Sequence, residues 1–150
     1  MDTKAQHAAL VAHAQSLGIF DVVAGHEPKN APGNGLAFSL HWAGARPHPR
    51  QSGLASTTVV VTWVARVWLN MLTEPQDDID PLVLDATDRL CGAYSSDFQL
   101  GGTVRDVDLL GQAGTPLSAQ GGYLKIDSAT YRTSDITIPL IVNDVWTQAP

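Results

Sequence analysis

Between Ala55 and Asn70, large apolar side chains occupy both parities of a β-branched run: Val59, Val61, Trp63, Val67 and Leu69 on one, and Val60, Val64 and Trp68 on the other. A strand that is half-exposed alternates wet and dry positions, so a run apolar on both faces predicts a central strand covered twice. Helices supply one cover in this reading, and a second subunit is a candidate for the other. The N-terminal segment carries a helical stripe, Leu10, Val11, Ala14 and Leu17, behind a capping-box pattern of Thr3 and Gln6, and Gly18 ends it. Ile19 to Ala24 is a short β-prone run, and the Pro/Gly-rich stretch from Gly25 to Gly35 predicts a loop.

Leu36 to Trp42 predicts a strand with Leu36, Phe38, Leu40 and Trp42 on one face. From Ala43 to Gly53, Pro47 and Pro49 alternate with basic residues, which predicts a stiff extended arm. After the central strand, Asp80 suits an N-cap and Pro81 the first helical position, with Ile79 stapled onto Leu84. Leu82, Val83, Ala86 and Leu90 form the buried stripe of that helix, and Asp85, Asp88 and Arg89 lie outside it. Strands are then expected over Thr103 to Leu110, over Leu117 to Ile126 with a break at Gly121 and Gly122, and over Tyr131 to Val142. Pro139 cannot donate to a ladder, which places the last strand at an edge or a bulge. The expected fold is α+β: a single domain over 1–150, with a mostly antiparallel sheet and two helices packed on one face.

The chain has 150 residues, a formal net charge of −6 and nine Lys and Arg residues, which are scattered apart from Arg46 and Arg50 around His48. Neutralising several phosphates needs a concentrated basic face, so tight nucleic-acid binding is not expected. A single cysteine, Cys91, excludes an internal disulfide and suits a reducing compartment. The longest apolar run, Val59 to Leu69, contains Thr62 and Arg66 and is shorter than the roughly 20 residues of a bilayer span. A soluble protein made in the cytoplasm is the expectation.

Candidate chemistry is thin. Asp77, Asp78 and Asp80 offer carboxylates for a hard cation, but no glycine turns a loop around an ion, and acids ahead of a helix are favoured by its dipole. Asp106 and Asp108 would stand about 7 Å apart on one strand face, yet their alternation predicts a solvated face rather than the apolar pocket an acid/base pair needs. Of the five histidines, His7 and His13 lie roughly 120° apart around a helix, and His26, His41 and His48 fall on separate segments. Cys91 reads as a small apolar group. Gly33, Asn34 and Gly35 lack the strand and helix that flank a phosphate loop. No cofactor, metal or catalytic set is expected. Four tryptophans are a less ordinary signal, and Trp146, in a polar tail, either folds back or anchors a partner.

A series of phrases carries a resemblance: His26-Glu-Pro-Lys-Asn-Ala-Pro-Gly33, Ser52-Gly-Leu-Ala55, Leu69-Asn-Met-Leu-Thr-Glu-Pro-Gln-Asp77, Ala93-Tyr-Ser-Ser-Asp-Phe98, Val107-Asp-Leu-Leu-Gly111 and Ile138-Pro-Leu-Ile-Val-Asn-Asp-Val-Trp146. In number and order they resemble the tail terminator proteins of long-tailed actinobacterial phages, over the whole chain. The resemblance implies a small α+β subunit in a hexameric ring on the finished tail tube. Such a ring stops polymerisation of the tube protein, meets the head-tail connector or stopper, and passes DNA through its lumen without specific binding. It also implies a place in the virion neck, and no membrane partner. Within that frame Arg46, His48 and Arg50 are expected to reach a neighbour and meet Glu74, Asp77 and Asp78. Asn143, Asp144 and Trp146 are candidates for the head-side or neighbour contact, and Asp106 and Asp108 for the lumen. Two other classes stay open: another neck or tail ring component, and a small-molecule enzyme or binding module, which would show convergent polar groups in a pocket.

Overall fold

A computed structural model describes residues 1–53 and 55–149. Helix α1 (Thr3–Leu17) is followed by strands β1 (Val22–Ala24), β2 (Ala37–Pro47) and β3 (Ser56–Asn70), helix α2 (Ile79–Ser96), and strands β4 (Asp106–Val107), β5 (Ser118–Ile126) and β6 (Ala129–Thr147). The sheet runs β1-β2-β3-β6, with β4 and β5 sharing the far side of β6. Among the described residues only the β1–β2 pair is parallel. The α+β expectation therefore holds, with both helices on one face of a mostly antiparallel sheet.

That helix face is a continuous apolar core. Leu10 and Ala14 of α1 and Val83, Ala86, Leu90 and Tyr94 of α2 pack on Phe38, Leu40, Val61, Ala65, Val67, Ile136, Ile138 and Leu140. Trp63 belongs to it and donates its indole N–H to Gln6 at 3.2 Å, which gives a buried polar side chain on α1 its partner. Tyr94 donates its hydroxyl to the Leu10 carbonyl at 3.1 Å, tying the two helices together. Burial pushes that phenol well above its usual range.

Helix boundaries differ from the sequence reading in informative ways. Asp2, one residue earlier than expected, caps α1 by accepting from Ala5 N–H at 3.0 Å, while Gly18 ends the helix in the left-handed region. A 3-10 turn at Gln76–Asp78 leads straight into α2, so Asp80 and Pro81 lie inside its first turn and neither caps it. Proline is tolerated there because the first-turn N–H groups have no helical acceptor. Ile79 is buried in the core while Leu84 is exposed, so the expected staple does not form. The buried stripe takes in Thr87, whose hydroxyl sits 2.8 Å from both the Val83 carbonyl and the Ser134 hydroxyl, and it omits Leu82.

The C-terminal strands are redistributed too. Strand pairing over the expected Thr103 to Leu110 shrinks to Asp106–Val107, and β5 passes through Gly121 and Gly122 without a break. Asp127 and Ser128 both take positive φ in a two-residue turn, the twist that closes a tight hairpin. β6 is neither an edge nor bulged at Pro139, which pairs with Thr62. Pro139 sits where the outer side of β6 passes from β5, whose pairing reaches Thr137, to β4, whose pairing starts at Leu140. The absent N–H faces that gap, and the Pro139 carbonyl accepts from Asp108 N–H at 2.9 Å.

The second face of β3 finds its cover within the chain. Val60 packs with Ala113 and Ile141 under the segment that joins β4 to β5. Trp68 packs with Ala37 and Tyr131, with Ala31 of the Pro/Gly loop against them, and donates to the Ser39 hydroxyl at 2.9 Å. The tyrosine in turn donates to the Gly33 carbonyl at 3.1 Å, which anchors the loop. A second subunit is not required to cover either position.

Candidate functional site

The predicted basic arm is folded onto its own sheet. β2 continues through a bulge between Trp42 and Gly44 to Pro47, pairing Ala45, Arg46 and Pro47 with Val61, Val60 and Val59. His48 N–H then donates to the Thr58 carbonyl at 2.7 Å, and the His48 ring, 2% exposed, accepts from Arg50 N–H at 3.1 Å. His48 therefore holds the turn and offers no side chain to a neighbour. Arg46 donates to the Ala113 carbonyl, whereas the Arg50 side chain has no partner among the described residues.

Those residues meet the aspartate pair that the sequence placed on a wet face. Asp108 is only 4% exposed and accepts N–H bonds from Gln112 at 2.8 Å and Ala113 at 2.9 Å. It is the organising group of a turn and does not line a lumen. Asp106 is half-buried beside Arg105, 3.4 Å away. Burial raises its pKa, opposed by Arg105 and reinforced by Asp108. Arg46, Ala113 and Asp108 thus form a hydrogen-bonded chain that closes one end of the outer face over Val60.

Glu74, Asp77 and Asp78 lie exposed at the start of α2, at the end of the sheet where β3 finishes. The β2–β3 turn is at the opposite end, so no one subunit brings these acids to Arg50. Asp80 is the acid that finds an internal partner: Arg132 donates to it at 2.8 Å and lies 4.5 Å over the Tyr123 ring. The hydrogen bond that Arg132 donates to Asp80 is the main cause of the raised Arg132 pKa.

The predicted polar tail is strand. Trp146 pairs with Thr57, Asn143 accepts from Thr58 at 3.3 Å, and Asp144, at positive φ, accepts from Ser56 at 2.6 Å. All three remain exposed, Trp146 at 44%.

Two features were not anticipated. In the middle of the outer face Arg66 makes a two-pronged pair with Asp135 at 2.6 and 3.1 Å, with Glu27 at 3.7 Å. The Asp135 hydrogen bond is the main cause of the raised Arg66 pKa. Asp135 borders a shallow cavity of about 440 Å³ that reaches His41, Gln120 and Thr137. A lone arginine between Val64 and Trp68 on an apolar face was the available signal. The second feature is a pair of strand edges with apolar residues beside them. Trp42 is 60% exposed beside the outer edge of β2, and Tyr123 is 61% exposed on β5. Between β5 and α2 runs an open groove of about 520 Å³ lined by Pro81, Leu84, Thr87, Ala119, Gly121 and Arg132.

Among the described residues no three His, Cys, Asp or Glu side chains gather as a metal site. No helix among them is long and apolar enough to cross a membrane. No protein-family model matches the chain, and no curated protein matches it significantly.

Proposed function

We infer that the chain is a structural subunit of a ring that caps a phage tail tube, ends its polymerisation and offers the joining surface to the head-side connector. The observation that carries the reading is a single sheet left open at both sides, at β2 and at β5, so that one subunit can take a neighbour on each. Contacts made by different patches propagate from copy to copy, and they close into a ring when the rotation between copies divides a full turn with no rise along the axis. The phrases behind the family resemblance that lie wholly within the described residues are spread over the loop before β2, the end of β3, the end of α2, the turn after β4 and the second half of β6, and they do not converge on one cleft; Ile138 to Val142 among them are buried in the sheet, while Asn143, Asp144 and Trp146 are exposed. Arg50 and the acids Glu74, Asp77 and Asp78, at opposite ends of one subunit, are free for contacts between copies or with tube and connector. A net charge of −6, repeated around a ring, suits a passage that does not hold DNA.

The test is purified protein added to growing tail tubes and imaged by negative-stain electron microscopy. Rings at tube ends, with arrest of growth, are expected. Tubes that elongate normally with bare ends would rule the reading out, and rings at the head-side connector alone would favour another neck component.

A further inference from the structure

The two open edges differ in kind and fit each other. β1 covers β2 only at Ala37, Phe38 and Ser39, so an added strand can lie only beside His41 to Pro47. β5 is 9 residues long, in unbroken register with β6, free of proline, and charged only at Lys125. A long regular edge with a single such guard, Lys125 near its end, is a template for another strand. The two-residue turn makes Ile126 and Ala129 a hydrogen-bonded pair, so alternation sends the N–H and C=O groups of Ala119, Gly121, Tyr123 and Lys125 outward.

We propose that copies of this chain join edge to edge, with β5 of one adding antiparallel to the His41–Pro47 edge of β2 in the next and Trp42 entering the groove between α2 and β5. The assignment rests on the ring reading and specifies its subunit contact. Strand direction permits it: β2 is parallel to β6, and β5 antiparallel to β6, so a neighbour in the same orientation presents β5 antiparallel to β2. The faces also match. Trp42 pairs with Trp63, which is on the helix face, and Ala119 and Gly121 pair with Ile136 and Ser134, on that same face. Continuing the sheet therefore carries Trp42 to the helix side of the neighbour's β5. Because β1 blocks the lower part of β2, the neighbour is stepped along the strands, which sets Trp42 beside Tyr123 and the Pro81–Leu84 end of the groove. Leu84 is 68% exposed there, so three large apolar side chains exposed in the single subunit cover one another. The contact uses different patches on the two copies, so it propagates around a ring instead of stopping at a two-fold pair.

Complementation separates this arrangement from its rivals. Trp42→Lys disables the β2 side, and Tyr123→Pro removes one outward N–H from β5 without touching its ladder to β6; Tyr123→Lys is the alternative should the proline variant misfold by circular dichroism. Native mass spectrometry and sedimentation, alone and with tail tubes, are expected to show closed assemblies for the unaltered chain and monomers for each variant. An equimolar mixture of the two variants is expected to give heterodimers and nothing larger, since each supplies one sound edge. Variants that still form rings would overturn the edge assignment and leave the ring reading standing. A Trp42→Lys protein that forms dimers would overturn it in favour of symmetric β5–β5 pairing, and binding of an unrelated extended peptide to β5 in place of self-assembly would overturn it as well. An unaltered chain that stays monomeric with and without tubes would remove the ring reading itself.

Discussion

Both faces of β3 carry apolar side chains, the helix side at every position from Val59 to Leu69 and the other only at Val60, Val64 and Trp68, and the two are covered by different means. On the helix side, Val59, Val61, Trp63, Ala65, Val67 and Leu69 meet regular stripes from α1 and α2, and the result is one continuous core. On the other side, Val60 and Trp68 lie under separate loops at the two ends, while Thr62, Val64 and Arg66 between them are only half-buried. A helix repeats its apolar stripe every turn and so covers a strand along its length. A loop covers one spot and must satisfy its own backbone there, which is why the outer caps depend on Asp108, Arg46, Tyr131 and the Gly33 carbonyl. Apolar content on a strand thus predicts that cover exists and leaves open whether it is packing or hydrogen bonding that holds the cover in place.

Substitutions on the two sides sharpen the contrast. Leu140→Ala, in the middle of the helix-side core, is expected to cost about 3 kcal/mol in urea unfolding, the cost of lost burial plus a cavity that rigid neighbours cannot fill. A loss under about 1 kcal/mol would mean that this core relaxes as readily as the outer caps. Asp108→Ala orphans the Gln112 and Ala113 N–H groups, one of them buried, and is expected to cost about 1–3 kcal/mol. Hydrogen exchange should quicken around Gln112 and Ala113 and hardly change in β3; quickening across the whole sheet would show that the cap and core are one cooperative unit. The smallest effect is on pH dependence. Burial raises the Asp106 pKa, so the folded chain holds a proton that the unfolded chain releases, and the stability this contributes is present below the ordinary aspartate value and lost as pH rises through the raised one. Asp106→Asn should flatten the melting-temperature profile in that window and leave the protein slightly more stable at neutral pH; an unchanged slope would assign it to another group.

The regular elements were legible because each depends on near neighbours in sequence. The α1 stripe with Gly18 and the two-parity run of β3 both came from local pattern and emerged as expected. The contact residues were less legible. Arg46, His48 and Arg50 looked like an arm because Pro47 and Pro49 break local pairing signals, yet β3 is long enough to pair beyond the bulge and draw Arg46 and Pro47 into the sheet. Asp106 and Asp108 alternate as a wet strand would, but only two residues pair there, and Asp108 turns inward to collect N–H groups of a loop. Parity placed Trp42 on one face with Leu36, Phe38 and Leu40. It shares the face of Phe38 and Leu40 but stands beyond the reach of the helices, which leaves it exposed.

The sequence by itself determined the element types, the α+β class, the central place of β3 and the need for two covers, since hydrophobic period and turn chemistry act over a few residues. Which segment supplies the second cover, which acids are buried and which edges stay open were decided only by the tertiary structure. Those outcomes follow from strand lengths and registers between segments far apart in the chain: β1 is too short to cover β2, and β5 comes last in the sheet with nothing left to cover it.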